Sequence, residues 1–280
     1  MTTALALSTP IAARRVAGLL PAPSPLTPWR ATAFRTGWTD APAARITDGT
    51  RTVVVAFHPG NSTLAWSRRG EPTLPIVSVP ATDPALIARE ILRSVLPELD
   101  TEHAPADDGA RPARDFLDSL RGYFADRRIP TNSWTTLQCT TVRTFQRGPA
   151  LLSLETHQTD PTLTLEYGGT GFFGGTLADL EAVLKLIMPV RPHGSYKMLG
   201  DEITGGIPRR LYAQFGHAHM QQSAPYGRMS FGRNVGPIGL IETPDYWARA
   251  RDHSPMHACV SRLGLDFTRS ILDRLTGADH

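Results

Sequence analysis

The chain has 280 residues, with 41% hydrophobic and 20% charged side chains. That balance excludes a disordered or collagen-like chain, and no apolar run reaches the roughly 18 residues of a membrane span. Two cysteines, Cys139 and Cys259, exclude a disulfide scaffold and a cysteine-built zinc site. Net charge is +3, carried by 27 Arg and only 2 Lys, a bias read as the imprint of a G+C-rich genome ahead of that of an anionic partner. Residues 1–70 hold eight Arg against two Asp, whereas residues 71–126 hold eleven acids against five Arg. The basic opening can attract phosphate, and the acidic stretch can neutralise it. Met1–Ser8 has no basic residue ahead of its short apolar run, and Arg14-Arg15 follow it, so no export signal is read and the expected location is cytoplasmic.

In chain order, Thr9-Pro10 reads as the cap of a short helix ending near Leu20, followed by a proline-rich linker to Pro28. Trp29–Gly37 reads as extended. Arg45–Phe57 reads as a hairpin around Asp48-Gly49, a pair suited to the positive φ of a tight turn. Ser62–Ser67 alternates apolar and polar as a half-buried strand does, and Leu74–Val79 is extended. Asp83-Pro84 caps a helix whose Leu86, Ile87, Ile91, Val95 and Leu96 share one face. His103–Arg114 is polar and reads as a linker.

The order then recurs. Asp115–Arg128 is expected as a helix, Trp134–Gln146, Leu151–Thr156 and Thr162–Tyr167 as strands, and Leu177–Met188 as a helix. A looser third copy has extended pieces at Leu211–Met220, Arg228–Phe231, Ile238–Ile241 and Tyr246–Ala250, then a helical region from Ser254-Pro255 toward Leu275, interrupted at Gly264. The expected fold is therefore α+β: two or three repeated βββ(β)α units with antiparallel sheets, at 1–103, 112–190 and 207–280.

Gly37-Trp38, Thr47–Pro59, Leu64-Ala65-Trp66, Asp83-Pro84 and the run Tyr246–His257 together resemble the duplicated domain of unknown function known as family 317, found in actinobacterial plasmid and integrative-element proteins. Phe173–Thr176 is a fainter echo. The resemblance implies a cytoplasmic accessory protein of a mobile element, with DNA or DNA-bound proteins as partners. It implies no catalytic residues and no cofactor.

Several motifs carry possible chemistry. Trp66 with Arg68 and Arg69, Trp29-Arg30 and Phe145-Gln146-Arg147 put an aromatic beside arginine on expected strands, the composition of a single-strand stacking platform. A core Trp with Arg at the strand exit is the commoner outcome. His217-Ala218-His219, read on a strand, would turn both imidazoles to one face. Continued to Gln221, it resembles the His-x-His-x-Gln signature of nucleotidyltransferases related to the histidine-triad hydrolases. Read alone, it resembles the metal pair of rolling-circle nucleases, for which Tyr246 would be the nucleophile. His257 could complete a composite metal site with His217 and His219, with Asp252 as a carboxylate. Gly169–Gly174 fits G-x-G-x-x-G between a strand and a helix, but the alternating strand before it argues against a dinucleotide fold. Cys139 reads as a small buried hydrophobe.

The sequence thus supports a non-enzymatic accessory or binding protein of a mobile element, with DNA or RNA the favoured partner, Trp66, Arg68, Arg69, Arg30 and Arg147 as contact residues, and no cofactor. A phosphoryl- or nucleotidyl-transfer enzyme built on His217 and His219 is the second reading. A protein-binding or structural component, including a homo-oligomer, is the third, with the acidic 98–118 segment as its contact.

Overall fold

A computed structural model describes the chain except residues 1, 23, 25, 68–73, 105–107, 136–138, 145–151, 158–159, 169–173, 193–202, 224–226, 245 and 278–280. The fold is α+β, and it divides into two compact units: Met1–Glu102 with Val190–His193, and His103–Pro189 with Gly194–His280. The first boundary lies where the polar linker is expected. The segments 112–190 and 207–280, by contrast, share one sheet.

The first unit is a five-stranded antiparallel meander: β1 (Arg30–Phe34), β2 (Ala43–Thr47), β3 (Thr52–His58), β4 (Asn61–Trp66) and β5 (Leu74–Val79). The turn between β2 and β3 forms because Asp48 Oδ1 accepts from the amides of Thr50 and Arg51 at 2.9 and 2.8 Å, while Gly49 takes φ 100°. Helix α1 (Thr2–Leu19) packs on β1, β2 and α2 (Pro84–Glu90). The short helix expected from Pro10 to near Leu20 begins earlier, at Thr2, with Pro10 inside it, and ends at Leu19. Asp83 caps α2 by accepting from Ala85 N at 2.8 Å, and the helix runs through a π turn (Ile91–Val95) into α3 (Leu96–His103). Ile87, Ile91, Val95 and Leu96 are buried, as are Ile46, Val53, Val55, Leu64 and Trp66 of the sheet.

The second unit repeats one connectivity twice. Helix α4 (Arg111–Asp126) precedes β6 (Thr131–Thr135), β7 (Cys139–Thr144), β8 (Leu152–His157) and β9 (Leu163–Tyr167), and α5 (Leu177–Ile187) follows. Helix α6 (Gly206–Phe215) precedes β11 (Gln221–Ser223), β12 (Arg228–Phe231), β13 (Ile238–Glu242) and β14 (Pro255–Leu263), and α7 (Leu265–Leu275) follows. The strands join in the order β11-β12-β13-β14-β9-β8-β7-β6, and the two-residue β10 (Gly175–Thr176) pairs with β14. The seam between the halves is the antiparallel pair β14–β9, with Ala258 opposite Tyr167 and Val260 opposite Leu165. Met256, Ala258, Val260, Leu165 and Tyr167 are buried on one face. The alternate residues His257, Cys259, Ser261 and Thr164 are half-buried on the other.

Three local expectations are overturned here. Leu211–Met220 is not extended: Ile207, Leu211, Tyr212 and Phe215 are buried at three- and four-residue spacing along α6. Tyr246–Ala250 is a turn-rich loop. Ser254-Pro255 starts a strand rather than a helix, because Met256, Ala258 and Val260 alternate into the core. The helix begins only after Gly264.

Candidate functional site

The outer face of the first sheet carries the residues best placed to meet a large anionic partner. Strand alternation puts Arg30, Thr32 and Phe34 of β1 on the same face as Ala43, Arg45 and Thr47 of β2, with Arg30 opposite Thr47 and Thr32 opposite Arg45. Arg30, Thr32 and Arg45 are exposed. The Arg45 guanidinium lies over the Phe34 ring, 4.4 Å from its centroid, a cation–π contact that fixes both groups at the surface. Phe34 and Trp38 are partly buried against a floor of small side chains, Ala43, Val54, Ala56 and Ala65. His58 and Thr63 meet at 3.2 Å on the same face. Between residues 29 and 59 the chain holds four Arg and two Asp. One of those acids, Asp48, is tied to Arg51 at 2.9 Å, and Arg51 also reaches Asp100 at 3.0 Å. Hydrogen bonds from the backbone and from Arg51 hold the Asp48 carboxyl below its ordinary range against the opposing effect of burial.

The residues named from sequence fall in different places. Arg30 belongs to this face. Trp66 does not: it shares the opposite face with Val53 and Ile46, is 2% exposed, and its indole Nε1 finds no partner among the described residues. A core ring cannot stack on a base, so Trp66 serves packing in this fold. Trp29 is also buried, its Nε1 donating to Pro21 O at 2.9 Å. Arg68, Arg69 and Arg147 lie outside the described residues. Phe34, Arg45 and Trp38 were missed. The available signal was alternation across Ala43–Thr47, which turns Arg45 outward between buried Ala44 and Ile46.

His217 and His219 lie on no strand. His217 is in a 3-10 turn (Gly216–Ala218) at the end of α6, with Nε2 3.1 Å from Pro189 O. His219 follows in the left-handed conformation, φ 58°, and is exposed. The shared strand face that motivated the histidine-pair chemistry is therefore absent. Burial and the charge of Arg233 push the His219 imidazole pKa down. Gln221 opens β11 and is exposed. Residues Gly169–Phe173 of the glycine motif lie outside the described residues. The strand before it, β9, is antiparallel to both neighbours, unlike the strand of a dinucleotide fold.

His257 sits instead in a polar row that crosses the second sheet. Its Nε2 is 2.9 Å from Glu166 Oε1 of β9, and its Nδ1 is 3.4 Å from Glu242 Oε2 of β13. Glu242 in turn accepts from Arg228 of β12. The hydrogen bond to Glu166 and the charges of both carboxylates raise the His257 pKa, against burial. Cys259, two residues along the same face, has its thiol pKa raised by burial and by Glu166, Glu155 and Glu242, so it stays protonated and a poor nucleophile. Among the described residues no group of three or more His, Cys, Asp or Glu side chains is arranged to hold a metal ion. None of their helices is long and apolar enough to cross a membrane.

No family model, no curated protein and no solved structure matches this chain.

Proposed function

We propose that this protein is a non-enzymatic, cytoplasmic accessory protein of a mobile genetic element that binds nucleic acid through the outer face of its first sheet. The observation that carries this reading is the Arg45–Phe34 pair with Arg30 beside it on an exposed strand face. Arginines on an antiparallel sheet neutralise phosphates, and a guanidinium held flat over an aromatic ring offers its own outer plane for a base to stack on. The partner class is the one implied by the resemblance of Gly37-Trp38, Thr47–Pro59, Leu64-Ala65-Trp66, Asp83-Pro84 and Tyr246–His257 to a domain of actinobacterial mobile-element proteins, a resemblance of short runs to which no family model adds a match.

The test is a fluorescence anisotropy titration of the full chain with labelled single- and double-stranded DNA and RNA at several salt concentrations. The expected result is salt-sensitive binding. The double variant Arg30→Ala/Arg45→Ala should weaken it and reduce the slope of log affinity against log salt by ~1.4 for single strands, about 0.7 per phosphate contact. Binding with an unchanged slope would remove this face as the contact surface. No binding at low salt would remove nucleic acid as the partner.

A further inference from the structure

The segment Tyr246–Ser254, between β13 and β14, carries an exposed indole. Trp247 is 66% exposed, although a tryptophan in a folded domain normally buries most of its surface. The loop is not loose around it. Ser254 O and Asp252 O accept the first amides of α5, from Leu177 and Ala178, at 3.0 Å each. Arg210 of α6 holds Asp252 Oδ1 at 2.9 Å. Ser254 Oγ accepts from Arg251 N at 3.1 Å. The backbone also lies directly on the start of α6: a Cβ at Gly205 would stand 2.2 Å from Tyr246 O, and one at Gly206 would stand 2.5 Å from Ala248 O. Two glycines are thus needed where the loop crosses the helix start, and the exposed ring stands on a fixed base.

What the loop presents has a consistent chemistry. One side of Trp247 leans on the half-buried Tyr246, with centroids 4.7 Å apart and planes 41° apart. Arg249 and Arg251, two and four residues on, are exposed, and neither forms an ion pair with a described residue. The acid between Arg251 and His253 is Asp252, which Arg210 already engages. An acidic peptide would use the arginines but give no reason for a preorganised, water-facing indole. A nucleotide strand uses both, stacking a base on the indole and laying its phosphates on the guanidinium groups.

We infer that the Tyr246–Ser254 segment is a second nucleic-acid contact, specific for single strands, with Trp247 stacking on a base and Arg249 and Arg251 meeting the backbone. The partner class rests on the function proposed above, but the residues belong to the other unit, so the two sites fail independently.

The experiment titrates the full chain with oligothymidylate, following tryptophan fluorescence and anisotropy, alongside a duplex of equal length. Wild type should show quenching that Trp247→Phe reduces sharply. Trp247→Ala should weaken single-strand binding about tenfold and leave duplex affinity within about twofold. Arg249→Ala/Arg251→Ala should weaken binding and lower the salt slope by ~1.4. Because these side chains are exposed, the variants should keep the wild-type melting temperature, and Trp247→Phe retains an aromatic ring. Single-strand affinity within twofold of wild type in Trp247→Ala, or equal losses on duplex and single strand, would overturn the inference. Loss in Arg30→Ala/Arg45→Ala with none in Trp247→Ala would remove the loop and keep the first sheet, and the reverse would keep the loop alone. A wild-type protein that ignores nucleic acid but binds polyglutamate, and loses it in Arg249→Ala/Arg251→Ala, would assign the loop to an acidic protein partner and overturn both readings.

Discussion

Replacing Glu181 with alanine probes the joint between α5, α6 and the tryptophan-bearing loop. The Glu181 side chain is 8% exposed and sits on the inward side of α5. It accepts from Arg210 Nε at 2.7 Å, from a second nitrogen of Arg210 at 2.8 Å, and from Gln214 Nε2 at 2.8 Å. Hydrogen bonds to a charged group contribute roughly 1.5–3 kcal/mol each, and breaking a buried pair costs about 3–5 kcal/mol. Arg210 is 30% exposed and keeps Asp252, so water and that carboxylate recover part of the loss. The cost should therefore fall just below that range, about 2–3 kcal/mol. With a urea dependence of about 2 kcal/mol per molar, the unfolding midpoint of this unit should drop by ~1–1.5 M. The assay is urea unfolding by circular dichroism, with hydrogen exchange reporting the α5 and α6 amides. The double variant Glu181→Ala/Arg210→Ala should cost less than the sum of the singles by ~1–2 kcal/mol, since the partners share one interaction. Strict additivity, or a midpoint shift under about 0.3 M, would refute the reasoning.

Two further outcomes follow from the sheet of the second unit. His257 has a folded pKa raised above its ordinary 6.5 by Glu166 and Glu242, so its protonated form is favoured in the native state. The stability difference between wild type and His257→Gln should then be constant below about pH 6.5 and shrink as the pH rises through the folded value. A difference that grows with pH would show that the pairing has been misassigned. Gly175→Ala would bring a Cβ to 2.2 Å from Cε1 of the wholly buried Tyr167 ring, whose hydroxyl is held by Thr176 N at 3.0 Å. It should destabilise by about 1–3 kcal/mol, read as a lowered urea midpoint, whereas an unchanged midpoint would mean that the ring yields freely.

Local signals with one physical reading were legible in the sequence. Asp83-Pro84 opens α2, Asp48-Gly49 turns β2 into β3, and Leu117, Leu120 and Phe124 line the buried side of α4. Failures came where two periodicities competed. His217-Ala218-His219 alternates for three residues, too short a span to outweigh Ile207, Leu211 and Phe215 at helical spacing, and Pro208 in the first turn of α6 was the overlooked marker. Ser254-Pro255 looks like a helix cap, yet Met256, Ala258 and Val260 alternate behind it. The site was less legible than the fold. Which face of a strand is covered is a tertiary fact, and it buries Trp66 while leaving Arg45 and Phe34 outside. The Glu166–His257–Glu242 row joins residues up to 91 apart in sequence, and the β14–β9 and β13–β14 pairings bring them together.

The strand order of the second unit reads the same from either end, since the last strand of each four-stranded run meets its counterpart at the seam. Two separate chains of the α-ββββ-α type could build the same sheet by docking through their final strands about a twofold axis. The covalent tether between α5 and α6 replaces that association with a high effective concentration. A chain cut in that tether should remain a tightly associated pair of fragments. Either fragment alone would present β9 or β14 as an open edge, and would be driven to pair with itself.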